Sequence, residues 1–224
     1  MDFFNLLGLA VAPGIAIMLY VYWSDTHEKE PTRLVLLSFF YGCLSVLVTL
    51  TISAILYSFI VLEEDNILHQ GIDAFFMVAL VEEFSKFIFV RWLIFPKKDF
   101  NEPYDGIVYT VMVGMGFATV ENIMYVFQGG YSVGILRMFT AVPAHAAFAV
   151  LMGYFLGMAK FRHDVNRYAM FGLISAMLLH GAYDFFLFIS WIPGIWLGAL
   201  ISLILGIVLS FKAMKIHRED SPFK

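Results

Sequence analysis

Charge is scarce in this chain. Lys, Arg, Asp and Glu make up 14% of its 224 residues, where a soluble domain carries about 25%. Apolar residues reach 61%, and mean hydropathy is +0.81. Those values exclude an ordinary soluble domain and indicate a membrane protein. A net charge of −4 says little here, because position matters more than sum in a membrane protein. No nucleic-acid partner is expected. Cysteine occurs once, as Cys43. That excludes an internal disulfide and a Cys-rich metal site, and leaves Cys43 as a small helix-packing residue. Linkers, repeats and low-complexity stretches are also missing, so residues 1–224 read as one integral membrane domain. Met1-Asp2-Phe3 lacks the positive flank of a signal peptide, and Pro13 would follow a cut after Ala10-Val11-Ala12. An uncleaved first span is expected.

What is there is apolar runs. A helical span needs about 20 apolar residues. Candidate spans fall at roughly 3–23, 34–62, 72–95, 104–127, 135–159, 168–189 and 194–211. The fold class expected is therefore all-α, a polytopic bundle of about seven transmembrane helices. The loops between them alternate. "SDTHEKEPTR", "PKKDFNEP", "KFRHDVNR" and the C-terminal tail carry Lys or Arg, whereas "EEDNILHQG", "QGGYSVG" and "SWIPG" carry none. The positive-inside rule then places the N-terminus outside and the C-terminus in the cytoplasm. Trp23, Trp92, Tyr104, Tyr131 and Trp191 fall near span ends, as an aromatic belt does. Pro13 and Pro143 lie inside spans and are expected to kink them. Gly153 and Gly157 form a small-xxx-small helix-packing pair.

Ionisable residues sit where lipid disfavours them. Each costs about 2.5–3.5 kcal/mol at the bilayer centre on insertion scales. The third span holds Glu82, Glu83 and Lys86 in "ALVEEFSKFIFV", the fourth Glu121 beside Asn122, the fifth His145, and the sixth His180 and Asp184. At about 1.5 Å rise per residue these groups share the middle and outer half of a core about 30 Å thick. One layer across four consecutive spans points to one cavity. His180 and Asp184 are i and i+4 and share a face, so the carboxylate can orient the imidazole. Glu82 and Glu83 point about 100° apart. One is expected to face the reacting centre and the other to neutralise Lys86.

Two schemes fit these residues. Imidazoles and a carboxylate hold Zn²⁺ or another divalent metal, leaving one position for water. Alternatively, a glutamate and a histidine activate water without metal, and Asn122 stabilises an oxyanion. Either would hydrolyse an amide. Blander readings stand beside them: a hydrogen-bonding packing histidine, a Glu–Lys pair used for assembly in a non-enzymatic scaffold or receptor, or a proton-coupled transporter. Absence of an internal repeat weakens the last. Asp105 reads as a helix cap. Asp25, Glu28 and Glu30 read as solvated loop charges, and His27, His69, His163 and His217 as loop or tail residues without a site.

"EEFSK" (82–86), "FATVEN" (117–122), His145 and "HGAYD" (180–184), with "APGIA" in the first span and "YDGIVY" before the fourth, resemble the motif set of the PrsW family of bacterial intramembrane proteases. The likeness covers nearly the whole chain. It implies a multi-pass protease of the bacterial cytoplasmic membrane, usually of metallo type, related to the CAAX prenyl proteases and bacteriocin-processing proteases. It implies catalysis by Glu82, Glu83, His145 and His180, and a metal, where present, on Glu121, His145 and His180. Lys86, Asn122 and Asp184 would support them. It further implies a substrate of the anti-sigma-factor kind, a single-span membrane protein receiving its first cut in a stress response. The related prenyl proteases carry histidine where this chain has Glu121, so Glu121 is read either as a ligand or as a supporting group.

Overall fold

The computed structural model describes residues 2–224, and no strand occurs among them. The helices are α1 (Asp2–Ser24), α2 (Thr32–Phe59), α3 (residues 67–94), α4 (Pro103–Phe139), α5 (Ala141–Phe161), α6 (Val165–Phe188) and α7 (Leu197–Glu219). Within α3, α-helical Leu80–Phe89 is flanked by π-helical Asp73–Ala79 and Val90–Ile94. Wide π turns are frequent at functional sites, and this flanked segment carries Glu82, Glu83 and Lys86.

Five stretches are long and apolar enough to cross a membrane: Phe3–Ser24, Thr32–Phe59, Pro103–Phe161, Val165–Phe188 and Leu197–Glu219. Their outward side chains are apolar. Leu36, Phe40, Leu44 and Leu47 on α2, and Ile201, Ile204 and Val208 on α7, are all exposed, which suits a lipid-facing surface. The chain is a multi-pass membrane protein. Pro103–Phe161 is folded rather than straight. Gly130 adopts φ 70°, ψ −159°, a conformation open to glycine and costly elsewhere. There the chain reverses, and Gly134 packs against Val126 and Leu9. A second break follows at Thr140, and Pro143 lies in the first turn of α5, where it costs no helical hydrogen bond.

The centre of the bundle is α4. Residues 104–118 are buried on every face, as a helix apolar all round should be. Its partners are α1, α2 and above all α5. Gly106 lies so close to Gly153 and Gly157 that a Cβ on any of the three would strike backbone. The expected small-residue pair on α5 is therefore a helix-packing seam, and its partner on α4 is a third glycine.

The basic loops gather at one end. Asn101 Nδ2 donates to Glu28 Oε2 at 2.9 Å, Lys160 Nζ donates to the Phe95 carbonyl, and Arg218 Nη1 donates to the Ser24 carbonyl at 3.3 Å. Glu64, Asp65 and Asp73 share a hollow with Ser190 and Trp191 elsewhere on the surface, which brings two of the non-basic connections together. Two expectations are corrected at the basic end. Asp25 and Glu30 are not solvated but 2% and 3% exposed, because the 25–31 connection folds over the start of α4; Glu28 is half-buried. His217 is buried too. Its ring stacks on Tyr154, and Nε2 meets the Tyr154 carbonyl at 2.8 Å.

Candidate active site

Glu82 and Glu83 leave α3 in different directions, and their surroundings differ accordingly. Glu82 lines a cavity of about 680 Å³, together with Glu121, Arg137, His145, His180 and Asp184. Glu83 lies behind that surface, 1% exposed. Its Oε1 accepts from Lys86 Nζ at 2.7 Å and lies 2.9 Å from His180 Nδ1. Lys86 sits one helical turn further on, 3% exposed, with its ammonium 3.3 Å from Glu82 Oε2 and 3.3 Å from His145 Nδ1. The Phe117 ring covers that ammonium from the α4 side at 4.0 Å, a cation–π contact.

Each histidine is held at both ring nitrogens. His180 faces Glu83 through Nδ1, and its Nε2 lies 3.1 Å from Asp184 Oδ2. Phe148 stacks flat on the His180 ring, at 4.5 Å and 16°. His145 faces Lys86 through Nδ1 and Glu121 Oε2 through Nε2 at 2.8 Å. Glu121 in turn takes a 2.8 Å hydrogen bond from Arg137 Nη2. Arg137 Nε donates to Asn122 Oδ1 at 2.8 Å, and Asn122 Nδ2 donates to the Ala10 carbonyl at 2.9 Å. Four carboxylates thus face two permanent cations and two imidazoles, with no carboxylate left uncompensated.

The residues singled out in the sequence converge, but not equivalently. Glu82, Glu83, His145 and His180 each offer one ligand atom, and these atoms lie within 4.8 Å of one another in a buried group. Two imidazole nitrogens and two carboxylate oxygens are a donor set that suits a divalent metal such as zinc. Lys86 Nζ, within 3.3 Å of three of these residues, already puts a positive charge against them. The donors therefore fit a cation, and the Lys86 ammonium is the positive charge that stands against them here. Glu121 stands against the far nitrogen of His145, outside this group of four. Asn122 is fully buried, does not line the cavity, and has its amide committed to Ala10 and Arg137.

Arg137 went unnoticed in the sequence. The expected fifth span begins two residues before it, at a loop otherwise free of basic residues. That departure from the charge alternation was the available signal. The return of the chain after Gly130 brings Arg137 beside Glu121, sixteen residues earlier. Phe117 and Phe148 gave no signal, since aromatic residues are common throughout the spans.

Comparison with known proteins bears on this geometry. The model of the PrsW family of intramembrane metalloproteases matches residues 30–213. Protease PrsW of Geobacillus kaustophilus is 38% identical over 185 residues, covering 82% of this chain and 80% of the relative. Protease PrsW of Bacillus subtilis is 38% identical over 190 residues, covering 82% and 83%. Protease PrsW of Clostridioides difficile is 32% identical over 215 residues, covering 93% and 87%. No solved structure matches the chain.

Proposed function

The chain belongs to the PrsW family of intramembrane metalloproteases, and on that premise we propose that it cuts a peptide bond in a single-span, membrane-anchored protein. The cut is the first made in an anti-sigma factor during a stress response. The observation that carries the catalytic assignment is the division between the two glutamates. Glu82 opens onto the cavity, whereas Glu83 is closed behind it against Lys86 and His180.

Glu82 is the general base. Its carboxylate takes a proton from the attacking water, whose oxygen bonds to the scissile carbonyl carbon. The same proton passes to the departing amine as the C–N bond breaks. A divalent metal held by Glu83, His145 and His180, with Glu82 left free as the base, would supply Lewis-acid polarisation and a more acidic water. Glu83 and Asp184 fix His180, and Glu121 fixes His145. Arg137 holds Glu121 in place, and Asn122 holds Arg137. Such partners keep a histidine in one tautomer and orientation. Phe117 and Phe148 exclude water from the imidazole and ammonium faces.

The membrane arrangement has seven spans, α1 to α7, with the fold-back at Gly130 and the break at Thr140 separating α4 from α5. The N-terminus is outside and the basic loops are cytoplasmic. The co-location of those loops at one end supports this orientation. The cavity then lies in the outer half, where a first cut on the extracytoplasmic side would fall.

The test is purified protein in detergent with a single-span anti-sigma factor, with products mapped by mass spectrometry. Thorough chelation and elemental analysis would be run in parallel. One cut near the outer end of the substrate span, lost on chelation and restored by metal, is expected. No product from any single-span substrate would overturn the protease reading. Cleavage by metal-free protein would overturn the metal arm alone.

A further inference from the structure

A second group of carboxylates is buried at the basic end of the bundle, about 24 Å along α4 from Glu121 at helical rise. Asp25 and Glu30 come from the 25–31 connection, Glu102 from the N-cap of α4 and Asp105 from its first turn. Their exposures are 2%, 3%, 1% and 0%. Among the described residues, none lies within 4 Å of a Lys, Arg or His side-chain nitrogen. The neighbouring cations are committed to backbone. Lys29 donates to the carbonyls of Tyr22, Trp23 and Asp25, Lys160 to those of Phe95 and Lys97, and Arg218 to that of Ser24.

Neutral donors cover only part of the cluster. Asp105 caps α4 as expected, its Oδ2 accepting from the backbone N–H groups of Asn101 and Glu102 at 2.6 and 2.8 Å. Tyr109 donates its hydroxyl to Glu30, and the His27 N–H reaches Asp25 Oδ1 at 3.3 Å. Asp25 Oδ2 and Asp105 Oδ1 remain buried without a partner at hydrogen-bonding geometry, as does Asn101 Oδ1, and the Glu102 carboxylate meets only the Asp105 N–H across the capping box of α4. Ser221, from the C-terminal tail, is the neutral group beside Glu102. Buried carboxylates without partners require protons or a cation.

We propose that Asp25, Glu30, Glu102 and Asp105 form a second cation site, taking a hydrated hard divalent ion of the Mg²⁺ kind and tying the 25–31 connection to the start of α4. The ligand chemistry is all oxygen, which selects Mg²⁺, Ca²⁺ or Mn²⁺ over zinc. Only the cavity group brings three or more such ligand atoms within 4.8 Å of one another among the described residues. The ion here therefore meets some of its carboxylates through water, and Mg²⁺ keeps several of its waters when bound.

The probe is Mn²⁺, read by electron paramagnetic resonance on the full chain in detergent, with Mg²⁺ as competitor. The His145→Ala variant provides the background, because it removes a donor from the cavity. Saturable Mn²⁺ binding in that background, displaced by Mg²⁺, is expected. Adding Glu102→Gln should weaken it by about 10- to 100-fold, on the scale of losing one supporting group at a metal site. Glu102 also serves the capping box of α4, so Asp25→Asn, which leaves that cap untouched, is the second variant. Absence of saturable binding in His145→Ala, or unchanged affinity in both double variants, would overturn the proposal. So would a thermal midpoint that rises in Glu30→Gln and does not respond to Mg²⁺, since protons alone would then hold the cluster.

Discussion

Two clusters of buried carboxylates lie at different heights on α4, and they meet the cost of burial in different ways. In the cavity, every carboxylate has a cation or an imidazole within 3.3 Å: Glu82 and Glu83 have Lys86, Glu121 has Arg137, and Asp184 has His180. At the basic end the carboxylates have none. The first cluster is compensated from within, so its geometry is held before substrate or metal arrives, which is what catalysis requires of a site. The second depends on what the surrounding solution supplies. Removing one member should therefore hurt the first cluster through the partner it strands. It should change the second through the ion or proton it no longer needs.

The largest effect expected is on chemistry. His180→Ala should abolish cleavage of a single-span substrate, a loss of at least about 10³-fold of the kind removal of an acid–base group produces, while the protein still inserts and purifies. Next comes the internal pairing. Glu83→Gln or Lys86→Met should each destabilise the fold by about 3–5 kcal/mol, the cost of breaking a buried pair from one side. The double variant should cost less than the sum, measured by denaturant unfolding of the detergent-solubilised protein. Additive losses would show that the pair is not coupled.

A smaller effect is expected from the outer chain of contacts. Arg137→Gln should lower activity by about 10- to 100-fold, the range for groups that orient a ligand histidine, with metal content reduced and expression unchanged. Full activity in that variant would remove Arg137 from the site.

The smallest effect concerns pH at the other cluster. Glu102 is held at about 7 against its usual 4.5, so the folded protein binds more protons than the unfolded chain between those values. Stability should therefore fall as pH rises from about 4.5 to about 7. Glu30, pushed up to about 11, extends the decline beyond that window. The groups facing them are Asp25, Glu28, Asp105, Tyr109, Lys29, Lys160 and Arg218. Thermal melts across this window in chelated buffer should show the slope, Mg²⁺ should flatten it, and Glu102→Gln should reduce it.

The sequence made the cavity legible because lipid is a strict solvent. A charge there needs a reason, so Glu82, Glu83, Glu121, His145, His180 and Asp184 stood out and shared a layer. The division of labour between Glu82 and Glu83 was legible only as a 100° difference in direction. Which one met the cavity depended on packing against α2 and α6. The π turns on either side of Leu80–Phe89 left no mark in composition. Arg137 reached Glu121 by a chain reversal at Gly130 that apolar periodicity does not record. The second cluster was misread for the opposite reason. Charges in a loop need no explanation, and nothing local to "SDTHEKEPTR" says that Asp25 and Glu30 fold under Asn101 and Glu102.

The central claim is that Glu82 carries the chemistry and Glu83 carries the structure around it. The direct measurement is cleavage of one single-span substrate by Glu82→Gln and Glu83→Gln side by side, with the thermal midpoint of each. Glu82→Gln should be inactive with a midpoint near that of the unmodified chain, and Glu83→Gln should be the less stable of the two. A folded Glu82→Gln protein that cleaves at the unmodified rate would contradict the claim.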